Sequence, residues 1–226
     1  MPGMVPMLDS LLAPPRCMGC GADGPPWCRI CAVTTPADPT LRDLGMPVIA
    51  VHAFEGPLRR VVIAWKEEGR AEARRLVQRW LSLALGPLRS AMPGAIVVAI
   101  PSSPSAERRR GLAHLEQVLA AVCPEDLRTG ALRSVGARAD QSTLGRVARA
   151  RNMAGAFAWE GPTDRPVIVV DDIVTTGATM RAAAATLHAS GVERAVGLTL
   201  AWRPESTLLR GFERGYLGIA DRGGSP

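Results

Sequence analysis

Between Val48 and Trp202 the apolar residues switch repeatedly between two periods. The run VIAVHAF, Val48 to Phe54, has the length and β-branched content of a strand. Apolar residues three and four apart then predict a helix over Pro57–Lys66 and a longer one from Arg70 to about Ser90. A fully apolar run, Ala95–Ile100, predicts a buried strand that ends in a Pro/Ser loop, with a further helix around Gly111–Val122. A weak strand near Ala131, a helix near Leu144–Arg151, the apolar strand PVIVV from Pro166, a helix over Thr179–Ser190 and a strand over Arg194–Trp202 complete the series. Alternating strands and helices predict an α/β domain with a mostly parallel sheet flanked by helices.

Outside that stretch the pattern changes. Residues 5–13 read as a short amphipathic helix, and residues 14–35 hold four of the five cysteines among Pro and Gly, with almost no apolar residues for a core. Thr34–Pro47, punctuated by Pro36, Pro39 and Pro47, reads as a linker. The tail after Pro204 is rich in Gly and Arg, although Leu208, Phe212 and Tyr216 have the spacing to pack a terminal helix. The expected organisation is an N-terminal module with linker over 1–46, a main domain over 47–204 and a tail over 205–226.

The cysteine spacing carries chemistry. Cys17, Cys20, Cys28 and Cys31 form C-x2-C-x7-C-x2-C, two chelating pairs able to bring four thiolates together tetrahedrally on zinc. Two disulfides are the alternative, and the lack of a secretory leader argues against them. Four cysteine ligands fill the coordination shell, so the expected zinc is structural. Cys123 ends an apolar helix before Pro124 and reads as a core residue; His52, His114 and His188 lie in separate elements without metal-like spacing and read as structural.

The 226 residues suit one buried domain with a small appendage, and 47% apolar with 21% charged residues is a globular composition. The net charge of +6 favours anionic partners, phosphates or nucleic acid. At the N-terminus Asp9 interrupts the apolar residues and Pro14 and Pro15 end them, and no run approaches the ~20 residues of a membrane helix, so a cytoplasmic protein without membrane insertion is expected.

The most informative segment is PVIVVDDIVTTGATM, Pro166–Met180: an apolar strand ending in two carboxylates, then a Thr/Gly loop opening a helix. In an open α/β sheet, ligands sit at the carboxyl ends of strands, where Asp171 and Asp172 would project. Adjacent carboxylates need partners, and a diol with a hydrated magnesium ion supplies them. Thr175, Thr176, Gly177, Ala178 and Thr179 offer backbone N–H groups, hydroxyls and a helix N-terminus to a phosphate. No Gly-Lys-Ser/Thr follows, which excludes a Walker loop, and the glycine spacing is not that of a dinucleotide site.

This run resembles the 5-phosphoribosyl 1-pyrophosphate (PRPP) signature of type I phosphoribosyltransferases. Together with the cysteine pairs, GPLRRVVIAWKEEG (Gly56–Gly69), IPSSP (Ile100–Pro104), RRRGLAHLEQVLA (Arg108–Ala120) and QSTLGRVARARNMAGAF (Gln141–Phe157), it makes most of the chain similar to the ComF family, a type I phosphoribosyltransferase with an N-terminal zinc ribbon. The resemblance implies that Asp171 and Asp172 hold the ribose hydroxyls and steady the sugar cation, and that Thr175–Thr179 hold the 5-phosphate. It implies pyrophosphate contacts from Ser102 and Ser103, with Lys66 and Arg110 as further PRPP ligands. Gln141 and Asn152 match family positions, as substrate contacts or as capping residues. Pro101-Ser102-Ser103-Pro104 differs from the family's Pro-Val-Pro-like sequence, and Ala113-His114 from its Phe-Asn-Gln-like one. The implied reaction is magnesium-assisted displacement of pyrophosphate by a nitrogen acceptor, linked through the family to DNA uptake in competence. A PRPP sensor without turnover, or a single-stranded nucleic-acid-binding protein, is the competing reading.

Overall fold

The computed structural model of the protein describes residues 15–102, 114–135 and 155–203. The expected helices over 5–13 and 144–151, the tail, and Ser103, Arg110, Gln141 and Asn152 lie outside the described residues. Two sheets form: five strands in the order β1 (Thr40–Asp43), β2 (Pro47–Ala53), β7 (Ala195–Trp202), β6 (Val167–Val174), β3 (Ile96–Ala99), and a hairpin-like pair of β4 (Leu132–Ser134) and β5 (Phe157–Trp159). Within the larger sheet β2, β7, β6 and β3 are parallel, and β1 alone runs antiparallel, on β2.

Five described helices accompany them: α1 (Arg29–Thr34) in the cysteine module, α2 (Gly56–Lys66), α3 (Ala71–Ala91), α4 (His114–Val122) and α5 (Ala178–Ala189). The α/β class expected from the periodicity is the one observed. Two local expectations fail. Thr34–Pro47 is not only a linker, because its second half is the edge strand β1. The signature strand does not end at the acid pair either: β6 continues through Asp171 and Asp172 to Val174. Both residues sit in a strand because β7 extends far enough to pair with it, from Val167↔Ala195 to Val174↔Trp202.

Apolar side chains cover both faces of the sheet, which is why its central strands are apolar throughout rather than alternating. On one face Val97, Ala99, Ile168, Val170, Leu198 and Leu200 pack against Leu58, Val61 and Trp65 of α2, Val77, Leu81 and Leu85 of α3, and Val118 and Leu119 of α4. On the other, Ile96, Val98, Val167 and Val169 meet Met180, Ala183 and Leu187 of α5, Leu132 and Phe157 of the small sheet, and Leu44 and Met46 of the β1–β2 turn. The run of alanines in α5 lets that helix lie close to the strands. Among the described residues no helix is long and apolar enough to cross a membrane.

Candidate functional site

The sheet opens next to the acid pair. β3 pairs with β6 only as far as Ala99↔Val170, with the Ile100 N–H donating to the Val170 carbonyl at 2.8 Å before the chain leaves at Pro101 and the half-buried Ser102. Beyond Val170, β6 is held by β7 alone among the described strands, so one edge of Asp171–Ile173 faces away from the sheet. The Asp172 N–H donates to the Asp171 carboxylate at 2.8 Å. Burial, and then the neighbouring Asp172 charge, push the Asp171 carboxyl up to about 8, against the opposing pull of that N–H and of Lys66.

Side chains alternate along a strand, so Asp172 shares the face of Ile168 and Val170, the one covered by α2. There it meets Lys66, the last residue of α2, whose Nζ lies 2.6 Å from Asp172 Oδ2. The preceding Trp65 is fully buried and anchors that end of the helix. Lys66 was expected at an anionic ligand; in this structure its partner is one of the two acids expected to bind the same ligand.

Val174 ends β6, and Thr175 and Thr176 are exposed before α5 begins. Gly177 caps that helix with φ of +75°, a left-handed conformation open to glycine. A Cβ there would also lie 2.8 Å from Leu44 Cδ2, so the β1–β2 turn packs directly behind the loop. The Ala178 N–H donates to Thr176 Oγ1 at 3.4 Å, and the α5 N-terminus adds its partial positive charge. Ala178 and Thr179 are half-buried at the same turn. Exposed hydroxyls next to a helix N-terminus are an arrangement that can receive an anion. Arg181, which sequence reasoning passed over, donates from Nη2 to the Thr176 carbonyl. Its position four residues after Gly177 is the available clue, since a helical side chain leans back over the preceding turn.

The cysteine module converges as its spacing requires. Cys17 and Cys31 sulfurs are 3.6 Å apart, those of Cys20 and Cys28 3.7 Å, and all four lie within 4.8 Å of one another. Sulfurs about 2.3 Å from a tetrahedral zinc stand about 3.8 Å apart, so the donor set and its spacing fit that ion, and the cluster is consistent with a zinc ribbon. Cys28 and Cys31 N–H groups donate to the sulfurs of Cys17 and Cys28. Burial opposes ionisation of Cys17, but N–H groups of Cys28, Cys20 and Gly19 outweigh it and lower the thiol to about 6; burial and the other sulfurs raise Cys31. Four thiolates at this distance would repel one another, and a bound cation is what would offset that.

The module is docked on the main domain. Arg60 of α2 donates to the Gly19 carbonyl at 2.6 Å, and Trp27 packs edge-on against Trp80 of α3 with ring centroids 5.2 Å apart. His52, read as structural, is buried with Nδ1 3.1 Å from the Pro36 carbonyl; Cys123 is buried, as expected of a core residue.

Residues 108–212 match the family model of the phosphoribosyl transferase domain. The match contains the acid pair, the Thr/Gly loop and α5, and it begins after Lys66, Ser102 and the four cysteines. No curated protein matches the chain.

Proposed function

We propose that the protein binds PRPP and transfers its phosphoribosyl group to a nitrogen acceptor with release of pyrophosphate, as a ComF-type phosphoribosyltransferase carrying a structural zinc. The observation behind this reading is the juxtaposition, within the matched segment, of an acid pair on an open strand edge with a Thr/Gly anion cradle on a helix N-terminus. Asp171 and Asp172 accept hydrogen bonds from the ribose hydroxyls, and Thr175–Thr179 hold the 5-phosphate with backbone N–H groups and hydroxyls. Ser102, Ser103, Arg110 and Lys66 face the pyrophosphate. Cys17, Cys20, Cys28 and Cys31 hold zinc.

The oxygen donors of the acid pair suit a hard cation, and magnesium arriving with PRPP would neutralise charge on the departing pyrophosphate. The C1–O bond to pyrophosphate breaks as a C1–N bond forms, and the ribose ring oxygen shares the transient positive charge. No covalent nucleophile is needed from the protein. Its part is to fix the sugar between the 5-phosphate cradle and the acid pair, and to place negative carboxylate charge near the developing cation. The family resemblance adds a link to DNA uptake, and the sequence reading favours a cytoplasmic setting. A nucleic-acid or sensing role has the net charge of +6 and the cysteine module behind it.

The test is calorimetric titration of the zinc-loaded protein with PRPP, with and without magnesium, against a variant carrying Asp171→Asn and Asp172→Asn. Magnesium-dependent binding that the variant loses is expected, followed by PRPP-dependent pyrophosphate release in a screen of amine and base acceptors. Absence of PRPP binding, with single-stranded DNA binding that weakens as salt rises, would replace this reading with the nucleic-acid one.

A further inference from the structure

Among the described residues, the acid pair has one ammonium for two carboxyl groups. Lys66 and Asp172 are each only 20% exposed, whereas Arg16–Asp23, Arg70–Glu72, Arg75–Glu72, Arg89–Asp126 and Arg133–Glu160 each have at least one partner more than 40% exposed. Such a pair resists screening by water and salt, and separating it leaves a poorly hydrated charge unless a new partner arrives. The ammonium sits on Asp172 Oδ2, so a diol that takes both oxygens of that carboxylate competes with it. The lysine it releases then needs an anion within reach of the same site.

We propose that Lys66 is a partner-switching cation that selects ligands carrying a pyrophosphate on the anomeric carbon: it neutralises Asp172 while the site is empty and passes to the pyrophosphate when the ribose hydroxyls take Asp172. This rests on the PRPP reading above and adds a specificity determinant to it. Ribose 5-phosphate brings the diol and the 5-phosphate but nothing for Lys66, so it displaces the ammonium without offering a replacement. PRPP brings both. The preference between the two ligands is therefore written into a residue of α2, outside the segment that matches the phosphoribosyl transferase domain. A flexible stem of four methylenes, its base fixed by the buried Trp65, gives the ammonium the freedom to exchange partners while the helix stays in place.

The experiment is calorimetry of PRPP and of ribose 5-phosphate at one fixed magnesium concentration, on the full chain and on Lys66→Met. A charge-assisted contact to pyrophosphate is lost in the variant, so PRPP binding is expected to weaken by about 10-fold or more. Ribose 5-phosphate should bind equally well or up to about 3-fold tighter, since its competitor for Asp172 is gone. Lys66→Gln, which keeps a hydrogen-bond donor for Asp172 but no charge, should show the same opposed changes and replaces the methionine variant where that one does not fold. Both ligands weakening by the same factor would overturn the proposal and make Lys66 a residue that only positions Asp172. Failure of either ligand to bind the unaltered protein, or binding indifferent to Asp171→Asn with Asp172→Asn, removes the PRPP reading itself and this proposal with it.

Discussion

The cysteine module and the β6 site both gather groups that repel one another once ionised, but the protein assembles them in opposite ways. Four sulfurs meet through two short chelating turns within residues 17–31, using backbone N–H donors from the same segment. The module has little core, borrowing instead from the main domain through Met18 and Trp27. The carboxylates are neighbours in sequence, yet what completes their site comes from far away: Lys66 from the end of α2 beside Asp172, Leu44 from the β1–β2 turn behind Gly177, and an edge that β3 leaves unpaired among the described strands. The first cluster has the spacing to take up an ion, whereas the second carries part of its compensation in the fold. A local spacing can therefore announce a metal site, while a ligand site of this kind is completed by packing.

The comparison breaks most visibly with metal removal. If the cysteines hold zinc as proposed, chelation, or Cys17→Ser, should unfold residues 15–35 while the sheet persists, because structural zinc sites supply about 10–16 kcal/mol of binding free energy to folding. Cobalt substitution, read by its thiolate absorption, together with proteolysis at Arg16 and Arg29, checks this; a module that stays protected without metal would mean that its docking on α2 and α3 suffices. Next in size is Gly177→Ala, which places a Cβ at a left-handed position and against Leu44. A loss of roughly 2–4 kcal/mol in thermal or denaturant unfolding is expected, together with weaker phosphate binding.

The acid pair should reveal itself in pH. Asp171 titrates higher in the folded chain than in the unfolded one, so the folded state holds the extra proton and the contribution of this one group to stability is greatest below the ordinary carboxylate range. It declines as pH rises toward about 8, by at most about 1.4 kcal/mol per pH unit for one proton. Asp171→Asn should flatten that decline in denaturant titrations across pH; an unchanged slope would place the proton elsewhere. The smallest effect is expected at the join between the two regions. Arg60→Ala removes the hydrogen bond to Gly19, and a drop of about 1 kcal/mol, seen as earlier loss of the module with the sheet's transition unmoved, would show that the two regions unfold separately.

Much of this was legible before any coordinates. The run from Pro166 to Met180 announces strand, acids, loop and helix because each follows from local chemistry: apolar residues covered on both faces, carboxylates at a carboxyl end, a glycine where the backbone turns left-handed, alanines in a tight helix. The cysteine spacing is equally local. β1 escaped because Thr40–Asp43 is short, exposed on alternate residues and set among prolines; it becomes a strand only when β2 offers an edge. The extension of β6 past Val170 escaped for a related reason, since two carboxylates read as the end of an apolar run and only β7 keeps them in register.

By itself, then, the chain's sequence determined the α/β class, the elements on either side of the signature and the convergence of the four sulfurs, all of which depend on contacts between residues close in sequence or on periodic burial. The tertiary structure alone decided that Lys66 faces Asp172, that Leu44 backs Gly177 and that, among the described strands, β3 stops pairing with β6 before the acids. Those contacts join residues separated by scores of positions, and a one-dimensional pattern has no term for the distance between two helices packed on the same sheet.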